Sequence, residues 1–95
     1  MIRHVVLWEL HDPAHAQEFA DRLRSCAGIV PGMLSFEVGT RDAGLAASAD
    51  VCLIAGFADV EALRAYECHA LHRAVSQELA PLRKGRYVAD YVTAP

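Results

Sequence analysis

The sequence lacks an apolar run of the roughly 18 residues that a helix needs to cross a bilayer. Its first residues also lack the basic region, long apolar region and small cleavage residues that make up a secretory signal peptide. Basic residues are few and scattered, since nine Lys and Arg stand against twelve Asp and Glu, for a net charge of −3. Nucleic-acid binding needs a concentrated positive face. We therefore expect a cytoplasmic protein with neither a nucleic-acid nor a membrane partner.

Cysteines are also few, and their number is odd. Cys26, Cys52 and Cys68 are widely spaced and form no CxxC motif. This pattern favours reduced thiols over a disulfide framework or a zinc site. We expect all three to be small buried side chains.

Apolar residues, in contrast, are abundant. They make up 54% of the 95 residues, against 22% charged residues and 7% aromatic ones. Such a composition excludes a disordered chain, and the length fits a single domain over residues 1–95. A domain this small buries only about 60% of its unfolded surface, so the surplus of apolar residues favours a partner subunit.

Four segments are typical of β-strands, at residues 2–10, 33–41, 50–57 and 86–93. The first and third are apolar on both faces, which is typical of strands covered on both sides. In the second segment, alternation predicts Met33 on one face with Ser35, and Leu34 on the other with Phe36.

Two segments have helical periodicity. The first begins at Asp12-Pro13, an N-cap followed by a residue suited to the first turn, and its apolar stripe continues to Val30. The second begins at the N-cap Asp59, and its apolar positions continue as one helix to Leu79. Beyond it we expect Pro81 and Gly85 to end the helix, with Arg83 and Lys84 at the negative end of its dipole.

The resulting order is β-α-β-β-α-β. It predicts an α+β, ferredoxin-like fold, in which a four-stranded antiparallel sheet has both helices on one face. The opposite face is then left open and apolar, and a patch of this kind is typical of a protein interface. We expect two copies to pair sheet to sheet. The side chains expected on the open face are Val5, Leu7, Leu34 or its neighbours, Cys52, Ile54 and part of the last strand.

Three stretches together resemble one known family, the stress-responsive A/B barrel domain (Dabb) family. They are the opening Ile2-Arg3-His4-Val5-Val6-Leu7-Trp8, the turn Ile29-Val30-Pro31-Gly32-Met33-Leu34-Ser35-Phe36-Glu37-Val38-Gly39, and Tyr66-Glu67-Cys68-His69-Ala70-Leu71-His72 with the later Tyr87-Val88-Ala89-Asp90-Tyr91. The resemblance implies ferredoxin-like protomers that pair into a dimeric α/β barrel. Within the family, a plant polyketide cyclase performs an aldol condensation without a cofactor, and other members only assemble into stress-induced oligomers.

The family's pattern in the second helical segment is Tyr-x-x-His-Pro-x-His. This chain has Tyr66, His69 and His72, but Ala70 stands where the family has proline. The proline breaks the helix and turns the last histidine inward. On an unbroken helix, Tyr66 and His72 would lie about 120° apart around the axis.

The resemblance implies three catalytic residues. His72 would be the general base that removes a proton alpha to a carbonyl, because imidazole titrates near neutrality. Tyr66 would donate a hydrogen bond to the carbonyl oxygen as negative charge develops there. Asp90, an acid in the middle of a predicted strand, would bond to His72 and fix its tautomer.

A mostly apolar pocket is expected between the sheet and the helices, the usual form of a small-molecule site. His4 shares a strand face with Val6 and Trp8 and is expected to line it. The other substrate-binding candidates are Phe19, Leu23, Leu53, Leu63 and Val88. His69 and His72 have a spacing that suits two metal ligands, but two ligands do not make a site, so we expect no metal and no cofactor.

Three functions fit the sequence. The first is a cofactor-free cyclase or lyase-like enzyme that acts on a carbonyl compound of polyketide type. The second is a non-catalytic module for ligand binding or assembly, whose pocket holds an apolar ligand or nothing. The third is a monooxygenase of the related barrel type that works without flavin or metal, although a shared fold does not establish a function.

Overall fold

A computed structural model describes residues 1–94 of the chain. Within this range the chain forms four strands: β1 (Ile2–Leu10), β2 (Met33–Thr40), β3 (Val51–Phe57) and β4 (Arg83–Val92). Their order in the sheet is β2-β3-β1-β4, and every neighbouring pair is antiparallel. The ferredoxin-like fold predicted from the sequence is confirmed.

Three α-helices cover one face of this sheet. They are α1 (Ala16–Arg24), α2 (Val60–Cys68) and α3 (Ala70–Leu79). A short 3-10 turn precedes α1, where the Asp12 side chain accepts a hydrogen bond from the Ala14 amide. The helix ends at Arg24, earlier than the apolar stripe predicts, although Cys26 still contributes to the core.

The prediction of one continuous helix up to Leu79 is wrong. The chain breaks at His69, whose ψ of 137° is extended and which separates α2 from α3. The His69 Nδ1 accepts a hydrogen bond from the Leu71 amide at 3.0 Å and so serves as the N-cap of α3. The helical period of the apolar residues cannot reveal such a break, because the apolar positions after the break continue with the same spacing as those before it.

Strand β4 begins at Arg83, three residues before the predicted start. Arg83, Lys84 and Gly85 therefore belong to the sheet and do not end or complement a helix. After α3 the chain makes a 3-10 turn at Ala80–Leu82, since Pro81 suits the first turn of such a segment. The earlier start extends β4 alongside the end of β1, where Leu10 pairs with Arg83.

A register shift between Met33 and Ser35 changes the predicted faces of β2. Met33 was expected to share a face with Ser35, but it packs against the core, and Leu34 is exposed at the irregularity. A bulge adds one residue to a strand and reverses the alternation on one side of it. The thiols also differ from expectation, since Cys26 is buried but Cys52 is half-buried and Cys68 is exposed.

The core lies between the helices and the sheet. Its most deeply buried large side chains include Tyr66, Phe19, Phe57, Leu53 and His4. On the opposite face of the sheet the side chains stay uncovered, and Leu7, Tyr87 and Tyr91 are 39%, 59% and 48% exposed. Among residues 1–94, no helix is long and apolar enough to cross a membrane.

Candidate functional site

The site is built on the pairing of β1 with β4. In this register His4 lies opposite Asp90, Val6 opposite Val88, and Trp8 opposite Arg86. Facing strand residues point to the same side of a sheet, so all six lie on the side that carries the helices. Among residues 1–94, no helix packs extensively over β4, and Val88 is 45% exposed there.

A pocket opens on this side, between the two strands and helices α1 and α3. The cavity volume, measured as the space that the centres of water molecules can occupy, is about 30 Å³. A larger volume of about 450 Å³ results when all empty space out to the open mouth is included. A water molecule needs about 10–15 Å³ by the first of these measures, so the free interior has room for about two or three. The pocket is lined by His4, Val6, Trp8, Phe19, Leu23, Cys26, Leu53, Tyr66, His72, Val75, Ser76, Leu79, Arg83 and Arg86.

Most of the predicted substrate-binding residues line this pocket, but two do not. Leu63, on α2, is buried in the core outside the pocket. Val88 lies beyond the pocket, on the uncovered part of β4. Sequence reasoning also missed lining residues from α3 and β4, among them Ser76, Arg83 and Arg86. Strand alternation already placed Arg86 on the face of Asp90, and that signal was available in the sequence.

Asp90 is hydrogen-bonded to His4, and the predicted bond from Asp90 to His72 is absent among the described residues. The reason is the sheet register, which sets Asp90 directly across from His4. His4 is only 2% exposed, while Asp90 is 39% exposed. A carboxylate accepts a hydrogen bond from the His4 Nδ1, so the other ring nitrogen, Nε2, carries the lone pair.

His72 is oriented by a different partner, the backbone of the preceding helix. Its Nδ1 lies 3.1 Å from the Glu67 carbonyl oxygen. Because a carbonyl oxygen can only accept, Nδ1 carries the proton and Nε2 is left as an unprotonated nitrogen. The helix break at His69 makes this contact possible, since it turns α3 so that His72 approaches the end of α2.

Burial lowers the pKa of His72 below its ordinary value of 6.5. The hydrogen bond to the Glu67 carbonyl and the Glu67 charge oppose this shift, and electrostatic interactions with His4 and Arg86 add to it. The lowered pKa keeps the imidazole neutral at physiological pH. His72 therefore has the protonation state that a general base requires.

Tyr66 lies between the two histidines. Its ring centroid is 4.5 Å from that of His72 and 6.3 Å from that of His4. Burial raises the pKa of its hydroxyl, so the group stays protonated and able to donate. The helix break thus brings together Tyr66 and His72, which an unbroken helix would hold apart.

The rings of His4, Tyr66 and His72 all belong to residues that line the pocket. Within residues 1–94, the buried side-chain nitrogen or oxygen that lacks a hydrogen-bond partner is Arg3 Nε, and Arg3 is not among the lining residues.

The other reactive side chains near the pocket have ordinary surroundings. Burial raises the pKa of the Cys26 thiol, which stays neutral in the pocket wall. The described part of the chain contains no cluster of three or more His, Cys, Asp or Glu side chains that could hold a metal ion. His69, the second histidine of the sequence motif, is committed to capping α3.

Solved structures of similar fold come from several bacteria. A dimeric ferredoxin-like protein of unknown function from Thermobifida fusca is 27% identical, with a TM-score of 0.84 over 97% of this chain and 90% of that chain. A Dabb family protein with a ferredoxin-like fold from Mesorhizobium loti is 23% identical, with a TM-score of 0.80 over 99% of this chain and 97% of that chain.

A third structure, from Nitrosomonas europaea, is named as a candidate antibiotic biosynthesis monooxygenase. It is 13% identical, with a TM-score of 0.82 and 98% coverage of both chains, and a likeness at that identity concerns the fold alone. No protein of curated function matches the chain significantly. The profile of the stress responsive A/B barrel domain matches residues 2–93. The chain therefore belongs to the stress responsive A/B barrel domain (Dabb) family.

Proposed function

We propose that the protein is a cofactor-free acid–base enzyme that removes a proton alpha to a carbonyl, with His72 as the base and Tyr66 as the hydrogen-bond donor. One observation carries the proposal. The His72 and Tyr66 rings lie 4.5 Å apart in the wall of one pocket, and the Nδ1 of His72 is engaged by the Glu67 carbonyl. A neutral base and a protonated donor thus reach the same space, as enolisation of a carbonyl compound requires.

The proposed step needs only the substrate and the side chains of the protein to move its proton and its electron pair. The bond between the alpha carbon and its hydrogen breaks, the proton goes to the His72 Nε2, and the electron pair moves into the carbonyl to form an enolate. The Tyr66 hydroxyl donates a hydrogen bond to the enolate oxygen. In a condensation, the enolate carbon then bonds to a second carbonyl carbon, and the new alkoxide takes the proton back from His72.

His4 and Asp90 have a supporting part in this proposal. The carboxylate of Asp90 holds the His4 ring through Nδ1, which leaves Nε2 as an acceptor on the far side of the Tyr66 ring. His4 thereby offers a second proton-accepting position in the pocket. We propose that Asp90 orients the ring of His4, whereas the sequence analysis expected it to orient the ring of His72.

The substrate class follows from the shape of the wall. Trp8, Phe19 and Leu53 make the interior apolar, so a compact apolar or aromatic carbonyl compound fits better than a polar one. The enclosed space of about 30 Å³ admits only a small part of such a ligand, so the remainder would lie in the open mouth of the pocket. A polyketide-like chain would extend over the uncovered part of β4.

The quaternary structure belongs to the same proposal. The open sheet face carries Val5, Leu7, Ile54, Tyr87 and Tyr91, and a second copy of the chain is its simplest cover. The dimeric ferredoxin-like relative from Thermobifida fusca supports this pairing. The two sheets would form the walls of an α/β barrel, with one pocket in each protomer.

A non-catalytic role in ligand binding or assembly is the second candidate. The free interior of about 30 Å³ favours it, because a substrate-sized molecule enters only if side chains at the mouth move. In this case the pocket would bind a ligand without turning it over. Saturable thermal stabilisation by a carbonyl compound, with no change in that compound, would favour this role.

The test of the enzyme is hydrogen–deuterium exchange at the methyl group of acetophenone, followed by proton NMR in deuterated buffer. The wild-type protein should accelerate exchange, and His72→Ala should abolish the acceleration. His11→Ala is the matched control, since His11 is exposed outside the pocket. Equal exchange with the wild type and His72→Ala would refute the role of His72. Oxygen consumption with a quinol substrate would instead favour a monooxygenase.

A further inference from the structure

The pocket wall contains two arginines that the acid–base proposal does not use. Arg83 and Arg86 both line the pocket from β4. The side-chain ion pairs of residues 1–94 involve His4, Arg22, Arg24 and Arg41, and so leave both of these guanidinium groups unpaired. Both arginines are exposed to solvent, so their donor groups face water and are free to bind an anionic group of a ligand.

Three carboxylates around the pocket are engaged by other side chains, whereas that of Glu67 has no ion pair among residues 1–94 and acts electrostatically on Tyr66 and His72. Asp90 is bonded to His4, and Glu78 of α3 is paired with Arg22 of α1. Glu9 points to the open face of the sheet, where its carboxylate lies 3.5 Å from the Tyr87 hydroxyl. The pocket is thus lined by cationic and neutral groups, although the whole chain has a net charge of −3.

Arg86 and the hydrogen-bonded pair of His4 and Asp90 lie at two ends of one strand pair. Arg86 is opposite Trp8 and Asp90 is opposite His4, with Val6 and Val88 between them. Four residues of strand separate the ends, or roughly 13 Å between backbone positions. The long guanidinium side chain shortens this span, and Arg86 is near enough to act electrostatically on both Tyr66 and His72.

We propose that Arg86, assisted by Arg83, selects a carboxylate-bearing ligand, so that the pocket takes apolar keto acids in preference to neutral ketones. The carboxylate would accept hydrogen bonds from the guanidinium at the mouth. The apolar body would then lie along Val6 and Trp8, with its carbonyl directed to Tyr66. This proposal names the ligand class of the site described under Proposed function and rests on that pocket being a ligand site.

Two probes of nearly equal shape separate the effect of the ligand's charge from the effect of its shape. They are 3-acetylbenzoate and its neutral isostere 3-acetylbenzamide, each titrated while the fluorescence of Trp8 is recorded. Trp8 is the single tryptophan of the sequence and lines the pocket. At low ionic strength the acid should bind at least about tenfold more tightly than the amide, the size expected for a charge-assisted hydrogen bond.

The variant Arg86→Gln should reduce this preference to less than about threefold while the amide still binds, because only the charge is lost. Arg64→Gln is the charge-matched control, since Arg64 is exposed on α2 outside the pocket. It should keep the wild-type preference. Added salt should weaken binding of the acid and leave binding of the amide unchanged.

Equal affinities of the wild type for the acid and the amide would overturn the proposal. So would an undiminished preference in Arg86→Gln, or the absence of saturable binding by both probes. The acetophenone exchange test is independent of these outcomes, because that probe carries no charge. Exchange that depends on His72 without any preference for the acid would remove only the arginine proposal, and the reverse pattern would remove only the acid–base role.

Discussion

The His4 Nδ1 is hydrogen-bonded to Asp90 across the β1–β4 pair, and this bond joins a nearly inaccessible ring to a partly exposed carboxylate. It ties the edge strand β4 to the strand beside it through a polar contact inside the apolar layer. It also fixes which nitrogen of His4 is available to the pocket. The two residues therefore matter for both stability and site geometry.

Removal of the Asp90 carboxylate should destabilise the fold. In Asp90→Ala the buried Nδ1–H of His4 loses its acceptor, at a cost of about 1–3 kcal/mol in the free energy of unfolding. Asp90→Asn should cost less, because its amide oxygen can still accept. Urea unfolding of the three proteins measures the difference, and an Asp90→Ala variant as stable as the wild type would show that the bond contributes nothing.

The variant Ala70→Pro should be tolerated and should stabilise the protein by about 0.4–1 kcal/mol. Ala70 is the first residue of α3, a position that suits proline. The preceding His69 already has the extended backbone, φ −64° and ψ 137°, that a following proline demands. Thermal unfolding measures the effect.

The control for that substitution is Ala74→Pro, in the exposed interior of the same helix. It should cost about 3 kcal/mol, because proline there removes a helical hydrogen bond and clashes with the preceding turn. A destabilised Ala70→Pro would mean that the break at His69 differs from the geometry described above.

The variant Leu7→Glu should produce monomers. Leu7 lies on the open sheet face, and burying an unpaired carboxylate there against a second copy is unfavourable. Leu45→Glu is the control, since Leu45 is 66% exposed and lies outside the sheet, between β2 and β3. Sedimentation velocity should show wild-type and Leu45→Glu dimers. A monomeric wild type at micromolar concentration would contradict the pairing of the two sheets.

The pH dependence of stability should contain a contribution from His72. Burial lowers its pKa in the folded protein, and electrostatic interactions with His4 and Arg86 lower it further, whereas the hydrogen bond to the Glu67 carbonyl and the Glu67 charge raise it. The unfolded chain therefore binds the proton more readily, and stability is full above the ordinary value of 6.5 and falls as the pH drops below it. Urea unfolding across this range should show a smaller fall for His72→Gln than for the wild type.

The fold was predictable because each strand carries its own signal. The first and third strands are apolar on both faces, which places them in the centre of a covered sheet, and the order of elements then leaves one simple topology. Strand register and helix breaks carry no such local signal. Asp90 was thus assigned to the wrong histidine, since only the alignment of β4 with β1 shows that His4 is its neighbour.

For a related reason, the sequence could not decide whether the helix breaks near Ala70. The contact that caps α3 is made by an imidazole nitrogen of His69, and histidine is not among the usual N-cap residues. The family's proline would have indicated the break, and Ala70 does not. The pairing of Tyr66 with His72 came from the family resemblance, and both residues line one pocket in the structure.

We infer that His72 presents an unprotonated Nε2 to the pocket at neutral pH, and nitrogen-15 NMR of histidine-labelled protein measures the protonation of this ring. We expect a neutral ring with the proton on Nδ1, hydrogen-bonded to the Glu67 carbonyl, and a titration midpoint below 6.5. The variant His72→Gln assigns the signals. A charged imidazolium at neutral pH, or a neutral ring with its proton on Nε2, would contradict the role of His72 as the base.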